Sequence, residues 1–540
     1  MNRAKLSFRY TAPINGHGLV LLASSDDCYK CSPLPQWPQG CEIGNSSCLV
    51  MSPNTNYSFD VDAKFPSSIL LQSDQHIVWQ SHYKFKELSD YSMLAQQVPT
   101  GEVHASIELV HEASPAVLLP IVLALLSLWL ISGFVRFFWH KYLLSLREDD
   151  EEADNLQPLL EAQQLVSPLR RIVCLDVFRG ITIFTMIFVN YGGGDYWFFN
   201  HSTWNGLTVA DLCFPWFAWI MGATMAISYE KKLKNRKEYF YISSIRSLKL
   251  LLLGLFLNNG YDLANWRIPG VLQSFGAAYW MVSMILLIST TLPLRQSFLQ
   301  WALMLVVVGL QSFLVFALPI PGCPTGYFGA GGLAEHSSYP NCTGGAHKQV
   351  DIWIFGPNHI YQYPTTKAIY RTGAYDPEGF LNWIMVAFTT FLGFKAGVIF
   401  LNGKDYKHRS GYLSFFGLIL GIFAWIGCQG RLNDGWIPVN KNLWSLTFVL
   451  STSSLACLLL AFLFLYVDTF DMWTGSPFLQ TGMNPIILYL GHELLQDHFP
   501  FGFKHGSTSH SLSMASSLFG ALCWLAIAQF LYRRKIFITV

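Results

Sequence analysis

Long apolar runs separated by short polar connections cover most of this chain after residue 114. Each run approaches the length of about 20 apolar residues that a helix needs to cross a bilayer. The runs lie near residues 116–138, 172–190, 211–229, 246–258, 270–290, 299–318, 380–401, 412–428, 443–466, 478–496 and 514–532. The pattern predicts a polytopic α-helical membrane protein with about 11 transmembrane helices.

Residues 1–114 show a different pattern, in which apolar and polar residues alternate. Residues 68–72 and 76–80 have the period of half-buried strands, so we expect a small β-rich domain. This segment also contains Cys28, Cys31, Cys41 and Cys48. Four cysteines this close together are typical of disulfides or of a zinc site. Their spacing lacks a second Cys-x-x-Cys, which favours disulfides. The spacing leaves their connectivity open.

The distribution of basic residues predicts the orientation of the bundle. Lys and Arg concentrate in connections 140–171, 231–237, 404–409 and 533–535, which the positive-inside rule places in the cytosol. The other side, the lumen, then receives the N-terminal domain, the connection 191–210 and the long loop 319–380. We expect a disulfide between Cys323 and Cys342 in that loop. Sequons predict glycosylation at Asn45, Asn56 and Asn341.

The expected organisation is therefore a lumenal domain at 1–114, a first transmembrane helix at 115–139, an acidic cytosolic linker at 140–171 and a bundle at 172–540. The N-terminus is lumenal and the C-terminus cytosolic. A dileucine at residues 159–160 leaves a sorting signal as an alternative to a plain linker. Residues 1–22 lack a signal-peptide core, so the chain is expected to begin downstream of its true start.

The composition agrees with a membrane protein and argues against a nucleic-acid-binding protein. Hydrophobic residues make up 52% of the chain, charged residues 13%, and the net charge is +1. A protein with so little net charge has no overall attraction for nucleic acid, so we expect no nucleic-acid partner. No metal-binding or nucleotide-binding motif occurs in a suitable context, and no metal is expected.

The most informative connection is 191–210, because it joins two apolar runs through three consecutive glycines and contains His201. Glycines allow a close approach of backbone to a ligand. The connection has no Lys or Arg, and aromatic residues such as Trp204 surround the histidine, so we expect a neutral imidazole. Asn190, Asn205 and Asp211 are candidates to orient the ring or bind an oxyanion. An interfacial anchor is the alternative interpretation.

Further polar residues lie in or beside the apolar runs, where polar groups usually bind ligands or link helices. Asp176 and Arg179 are spaced to pair on one helix face, which is an alternative to cofactor binding. Arg246 and Arg267 are candidates for phosphate binding or for orientation signals. Asn440, Asn442 and His492 are candidates for substrate binding, with hydrogen bonds between helices as the alternative.

Several strings resemble the heparan-α-glucosaminide N-acetyltransferases, a family of lysosomal transmembrane enzymes. The resemblance is carried by residues 190–194, 201–217, 267–273, 322–327, 340–345, 375–379 and 437–445, and extends over about 170–540. It implies transfer of acetyl from cytosolic acetyl-CoA to the terminal glucosamine of heparan sulfate in the lysosomal lumen. The family's catalytic histidine and asparagine match His201 and Asn190.

This resemblance also implies the partners and the compartment. We expect acetyl-CoA as co-substrate, a heparan sulfate oligosaccharide as acceptor, membrane lipid around the bundle, and a lysosomal membrane location; a homodimer is left open. The competing function is a polytopic transporter of a small polar or sugar substrate, which intramembrane polar groups also suggest. A receptor is a third alternative.

Overall fold

The structure is a computed structural model. It describes residues 3–11, 18–42, 48–74, 76–98, 102–113, 118–148, 172–232, 235–290, 295–503 and 509–538. The dileucine, most of the acidic linker and Asn45 lie outside the described residues. The described part contains an N-terminal β domain and a helical bundle, as the sequence predicts.

Two four-stranded sheets make up the N-terminal domain. The first has the order β4-β1-β7-β8 and the second β3-β2-β5-β6. The strands are β1 Arg3–Tyr10, β2 Val20–Ser25, β3 Leu34–Pro35, β4 Tyr57–Asp62, β5 Ser67–Ser73, β6 His76–Tyr83, β7 Asp90–Gln97 and β8 Val103–His111. In the first sheet β1 pairs in parallel with β7, and the other pairs are antiparallel.

The two sheets pack face to face because each strand has one apolar face. In β1 the side chains alternate between exposed and buried, and Leu6 and Phe8 have no exposed surface. They share one core with Leu21, Ile69 and other residues of the second sheet. The domain is therefore a β-sandwich. The prediction of disulfides is confirmed, since the structure pairs Cys28 with Cys31, Cys41 with Cys48, and Cys323 with Cys342.

Fifteen α-helices follow the sandwich in the described residues. They are α1 Leu118–Glu148, α2 Val173–Asn190, α3 Val209–Lys232, α4 Arg236–Asn258, α5 Val271–Ile288, α6 Gln296–Ala317, α7 Ala334–Ser337, α8 Ala346–Phe355, α9 Thr366–Tyr370, α10 Phe380–Asn402, α11 Tyr406–Cys428, α12 Leu446–Leu463, α13 Phe478–Met483, α14 Pro485–Leu495 and α15 His510–Arg533. Within the described residues, ten helices are long and apolar enough to cross a membrane.

The eleventh expected span, 478–496, is a broken helix made of α13 and α14. Pro485 lacks a backbone N–H and restricts the preceding residue, so Asn484 leaves the helical region with φ −127°. The Asn484 side chain instead donates to the carbonyl of Ile536 and accepts from the backbone N–H of Ile538. The break therefore joins the C-terminal segment to the bundle.

Helix α10 is the centre of the bundle, because most of its apolar residues are buried, whereas few of those of α1 are. It packs against α3 through small residues. A Cβ on Gly222 would lie 1.8 Å from the carbonyl oxygen of Thr390, and one on Gly393 would lie 2.0 Å from that of Trp219. Glycine is required for this close approach of two membrane helices.

The N-terminal domain packs against one end of the bundle, called the domain end below. Thr203 donates to the Asp27 carboxylate over 2.8 Å, and the backbone N–H of Tyr29 donates to the hydroxyl of Tyr370 over 3.0 Å. The domain end therefore includes the connection 191–208 and the loop 318–379.

Candidate functional site

Three glycines after α2 turn the chain back towards the bundle. Gly192, Gly193 and Gly194 have φ values of 104°, 55° and 71°, which side chains rarely adopt. A Cβ on Gly193 would also lie 2.6 Å from the Cβ of Phe199. The turn delivers His201 in an irregular segment just before α3, with about a third of its side chain exposed.

A buried carboxylate orients His201. The Nδ1 atom of His201 lies 2.8 Å from Oδ1 of Asp211, whose side chain has no exposed surface. The second oxygen of Asp211 accepts from the backbone N–H groups of Ser202 and Thr208 over 3.2 and 3.1 Å. Since a carboxylate accepts hydrogen bonds, the contact with Oδ1 assigns the ring proton to Nδ1. Nε2 then holds the lone pair of the ring, and the Lys441 ammonium is the donor that lies beside it at 3.3 Å.

Lys441 contacts the same histidine from the connection before α12. Its Nζ lies 3.1 Å from Nδ1 and 3.3 Å from Nε2 of His201, and 4.0 Å from Oδ1 of Asp211. The expectation that the histidine has no cation around it is therefore wrong. The sequence places Lys441 240 residues from His201, and the local signals near it are the flanking Asn440 and Asn442 and the resembling string 437–445.

The aromatic residues near His201 in sequence have other contacts. Trp204 is 3% exposed, packs edge-on against Tyr375 and donates its indole N–H to the carbonyl of Phe328. Phe199 packs against Phe188. These residues support the glycine turn and the 318–379 loop instead of lining the cavity.

Asn190, the last residue of α2, forms a second polar group with α14. Its amide nitrogen lies 2.9 Å from Nε2 of His492 and 3.3 Å from Oε1 of Glu493. His492 is fully buried, and its Nδ1 lies 3.1 Å from the carbonyl of Leu488. Both amide hydrogens of Asn190 are thus used within the protein, and its carbonyl oxygen is the atom available to a ligand.

One cavity of about 990 Å³ is lined by members of both groups, although Asp211 and His492 lie behind its lining. Its lining at the domain end includes Asn190, His201, Lys441, Asn442 and Glu493. Apolar and aromatic side chains such as Phe214 and Phe275 line its middle.

The opposite half of the cavity is cationic. Arg179, Arg246 and Lys249 line it. Arg246 lies over the ring of Tyr279 at 4.5 Å, and its buried Nε has no hydrogen-bond partner among the described residues. The predicted pair between Asp176 and Arg179 forms at 3.0 Å, and Arg179 also donates to the carbonyl of Gly482.

Arg267 also lines the cavity, but its charge is neutralised. Its guanidinium donates to Asp376 over 2.9 and 2.6 Å and to Glu378 over 2.5 Å. Burial alone would lower the pKa of Arg267, but the two carboxylates outweigh burial and raise that pKa. Arg267 therefore holds the loops at the domain end together and adds little positive charge to the cavity.

The remaining predicted residues form a polar network beside the cavity. Asn205 donates to Asn433 and accepts from Asn440, each over 2.9 Å. Asn442 donates to the carbonyl of Thr203 over 3.4 Å. Asn205 and Asn440 thus fix the connection that carries Lys441 to the His201 segment, and Asn442 is the member that also lines the cavity.

The sequons differ in exposure. Asn56 and Asn341 are exposed, as glycosylation there requires. Asn200, which begins a further sequon next to His201, is half-buried, and its carbonyl accepts from the hydroxyl of Thr208 over 2.6 Å.

The chain is similar to known proteins. The chain is 34% identical to the heparan-alpha-glucosaminide N-acetyltransferase of Mus musculus, over 97% of this chain and 86% of the relative. It is 35% identical to the protein of the same name from Homo sapiens, over 96% of this chain and 85% of the relative. No family model matches the chain.

Proposed function

The chain belongs to the heparan-alpha-glucosaminide N-acetyltransferase family, and on that premise we propose that it transfers acetyl from cytosolic acetyl-CoA to the terminal non-reducing α-D-glucosamine of heparan sulfate in the lysosomal lumen. The observation that carries the proposal is a cavity whose lining includes both the cationic half and the His201 group at the domain end. Since neither substrate crosses a bilayer, a reaction between them needs such a path.

The cationic half of the cavity fits the donor. Acetyl-CoA carries phosphates, and Arg246 offers a buried guanidinium N–H that has no hydrogen-bond partner within the described residues. Lys249 adds a further cation, and Arg179 lines the same half with its charge balanced by Asp176. Guanidinium groups bind phosphates through charge-assisted hydrogen bonds. We assign Arg246 and Lys249, beside the Arg179–Asp176 pair, to the donor's phosphates, and the apolar middle of the cavity to the uncharged part of its chain.

The domain end fits the acceptor. Its cavity lining offers the carbonyl oxygen of Asn190 and the carboxylates of Glu378 and Glu493, all of which accept hydrogen bonds from sugar hydroxyls or from an amine. In this assignment Asn190 holds the glucosamine nitrogen through its carbonyl oxygen. This differs from an oxyanion-binding role, which would require an amide hydrogen that the structure uses for His492 and Glu493.

Nε2 of His201 is the reactive atom because Asp211 fixes the ring proton on Nδ1. In one route Nε2 attacks the thioester carbonyl and the C–S bond breaks; the amine nitrogen then attacks the acetyl carbon, the C–Nε2 bond breaks, and the amine proton passes to the thiolate. In the other, Nε2 removes a proton as the amine nitrogen attacks the carbonyl carbon and the C–S bond breaks; the proton passes to the leaving thiolate. Both routes require the Nε2 lone pair.

We further propose that the protein lies in the lysosomal membrane with the N-terminal domain in the lumen. Three disulfides and the exposed sequon asparagines Asn56 and Asn341 support an oxidising compartment for the domain end. The basic connections at the opposite end support a cytosolic location for the donor's entrance.

The test is transfer from labelled acetyl-CoA to glucosamine by the purified full-length chain, with wild type compared to His201→Ala. We expect the variant to lose transfer. Label retained on quenched wild type, but not on the variant, identifies the acetyl-imidazole route; no retained label with normal turnover identifies direct transfer. Full transfer by the variant would contradict the proposal.

A further inference from the structure

We infer that Lys441 is a positioning residue for the proposed reaction: its charge balances that of Asp211, so that Asp211 orients His201 without holding it in the protonated, inactive form. The inference rests on the function proposed above, in which Nε2 of His201 reacts. It assigns a role to a residue that neither the sequence patterns nor the resemblance singled out.

A buried carboxylate beside an imidazole has two opposing effects. Asp211 orients His201 by accepting the Nδ1 proton over 2.8 Å, and the same negative charge favours a second proton on the ring. A ring that carries both protons has no lone pair at Nε2 and cannot act as a base or nucleophile. The problem is greatest in an acidic compartment, where protons are abundant.

Lys441 is placed to oppose that second proton. Its ammonium lies 3.1 and 3.3 Å from the two ring nitrogens and 4.0 Å from the Asp211 carboxylate. When the ring is neutral, the negative charge of the Asp211 carboxylate and the positive charge of the Lys441 ammonium cancel. With the ring protonated, two cations lie side by side, and the side chain of Lys441 is only 12% exposed, so water screens them poorly.

The charged groups in contact with the His201 ring are Asp211 and Lys441, among the contacts of the described residues. The cavity lining at the domain end also includes Arg267, Glu378 and Glu493. Arg267 is bound by two carboxylates, and Glu493 accepts from the Asn190 amide. These groups contribute negative or balanced charge, which leaves Lys441 as the cation in direct contact with the ring.

The position of Lys441 is built into the fold. Asn440 donates to Asn205 over 2.9 Å and accepts from the backbone N–H of Leu443 over 2.9 Å. The backbone N–H of Gly206 donates to the carbonyl of Val439 over 2.8 Å. These hydrogen bonds join the connection that carries Lys441 to the connection that carries His201, so the lysine side chain is held next to the imidazole ring.

The experiment measures kcat/KM for acetyl transfer from pH 4.5 to pH 8 in the full-length chain. Lys441→Met removes the charge and keeps a similar length; Lys441→Arg keeps the charge. We expect the acid limb of the Lys441→Met profile to move upward by about 1–2 pH units, the effect of one nearby charge. In Lys441→Arg the limb stays close to that of wild type.

A charge-compensation variant provides the second arm, and serves if the single variant does not fold. Asp211→Asn combined with Lys441→Met removes both charges, so its acid limb should return towards the wild-type position although its rate is low. A Lys441→Met profile that is lower at every pH with an unmoved limb would overturn the inference. Activity of His201→Ala in the same assay would instead contradict the proposed function, which keeps the two failures distinct.

Discussion

Asp211→Asn is the substitution whose consequences the structure defines most fully. The carboxylate is completely buried and accepts from Nδ1 of His201, from the backbone of Ser202 and from both the backbone and hydroxyl of Thr208, over 2.8 to 3.2 Å. Asparagine keeps the shape but replaces one acceptor by an NH2 group. If that NH2 faces the ring, Nδ1 must accept, and the ring proton moves to Nε2.

We expect two measurable losses. Loss of the reactive lone pair should lower kcat by about 10²–10⁴, as when the carboxylate that orients a catalytic histidine is neutralised. The buried ammonium of Lys441 also loses its counter-charge, which should lower the free energy of unfolding by about 3 kcal/mol, the low end for breaking a buried pair.

The assays are acetyl transfer and thermal unfolding of detergent-purified protein followed by tryptophan fluorescence. Asp262→Asn is the matched control, because Asp262 is an exposed carboxylate at the same end of the bundle that accepts from the backbone N–H of Ala264. It should change neither property measurably. Asp211→Asn with kcat within threefold of wild type would refute the reasoning, whatever its stability.

Three further predictions concern other parts of the molecule. Arg246→Met should raise the KM for acetyl-CoA by about 10-fold or more. Arg236→Met, on the same helix but outside the cavity lining, should leave that KM unchanged. Equal increases of KM in the two variants would contradict the assignment of Arg246 to the phosphates. Burial lowers the pKa of His347 to about 4 from 6.5. Between these two pH values the unfolded chain binds more protons than the folded chain, so the free energy of unfolding falls as the pH falls. His347→Gln should abolish about 2 kcal/mol of the decrease in the free energy of unfolding between pH 7 and pH 5, read from thermal midpoints. Glu87 accepts from Nε2 of His510 over 2.7 Å, and Nδ1 of His510 donates to Gly194 over 2.8 Å; Glu87→Gln should therefore speed hydrogen exchange in the glycine turn, whereas Glu112→Gln, in an exposed pair with Lys86, should not. Unchanged exchange in Glu87→Gln would show that the domain does not steady the turn.

The sequence by itself determined the class of the protein and indicated the segment that is proposed to carry its chemistry. Run length and hydropathy are local properties, because a helix in a bilayer satisfies its backbone hydrogen bonds within its own segment. The spans and the β-rich domain were therefore predictable. The triple glycine and His201 also stood out locally, and Asp211, ten residues on, was near enough to be named as a partner.

The tertiary structure alone decided which distant groups meet at His201 and how charge is distributed there. Lys441 reaches His201 across 240 residues, and Asn190 meets His492 across 302. Such pairs follow from helix packing and from the clamp between Asn205 and Asn440, which no local pattern encodes. Arg267 was equally ambiguous from sequence, since the same guanidinium binds a phosphate when free and joins loops when Asp376 and Glu378 surround it. A polar residue's partners, set by packing, determine whether its charge is available for function.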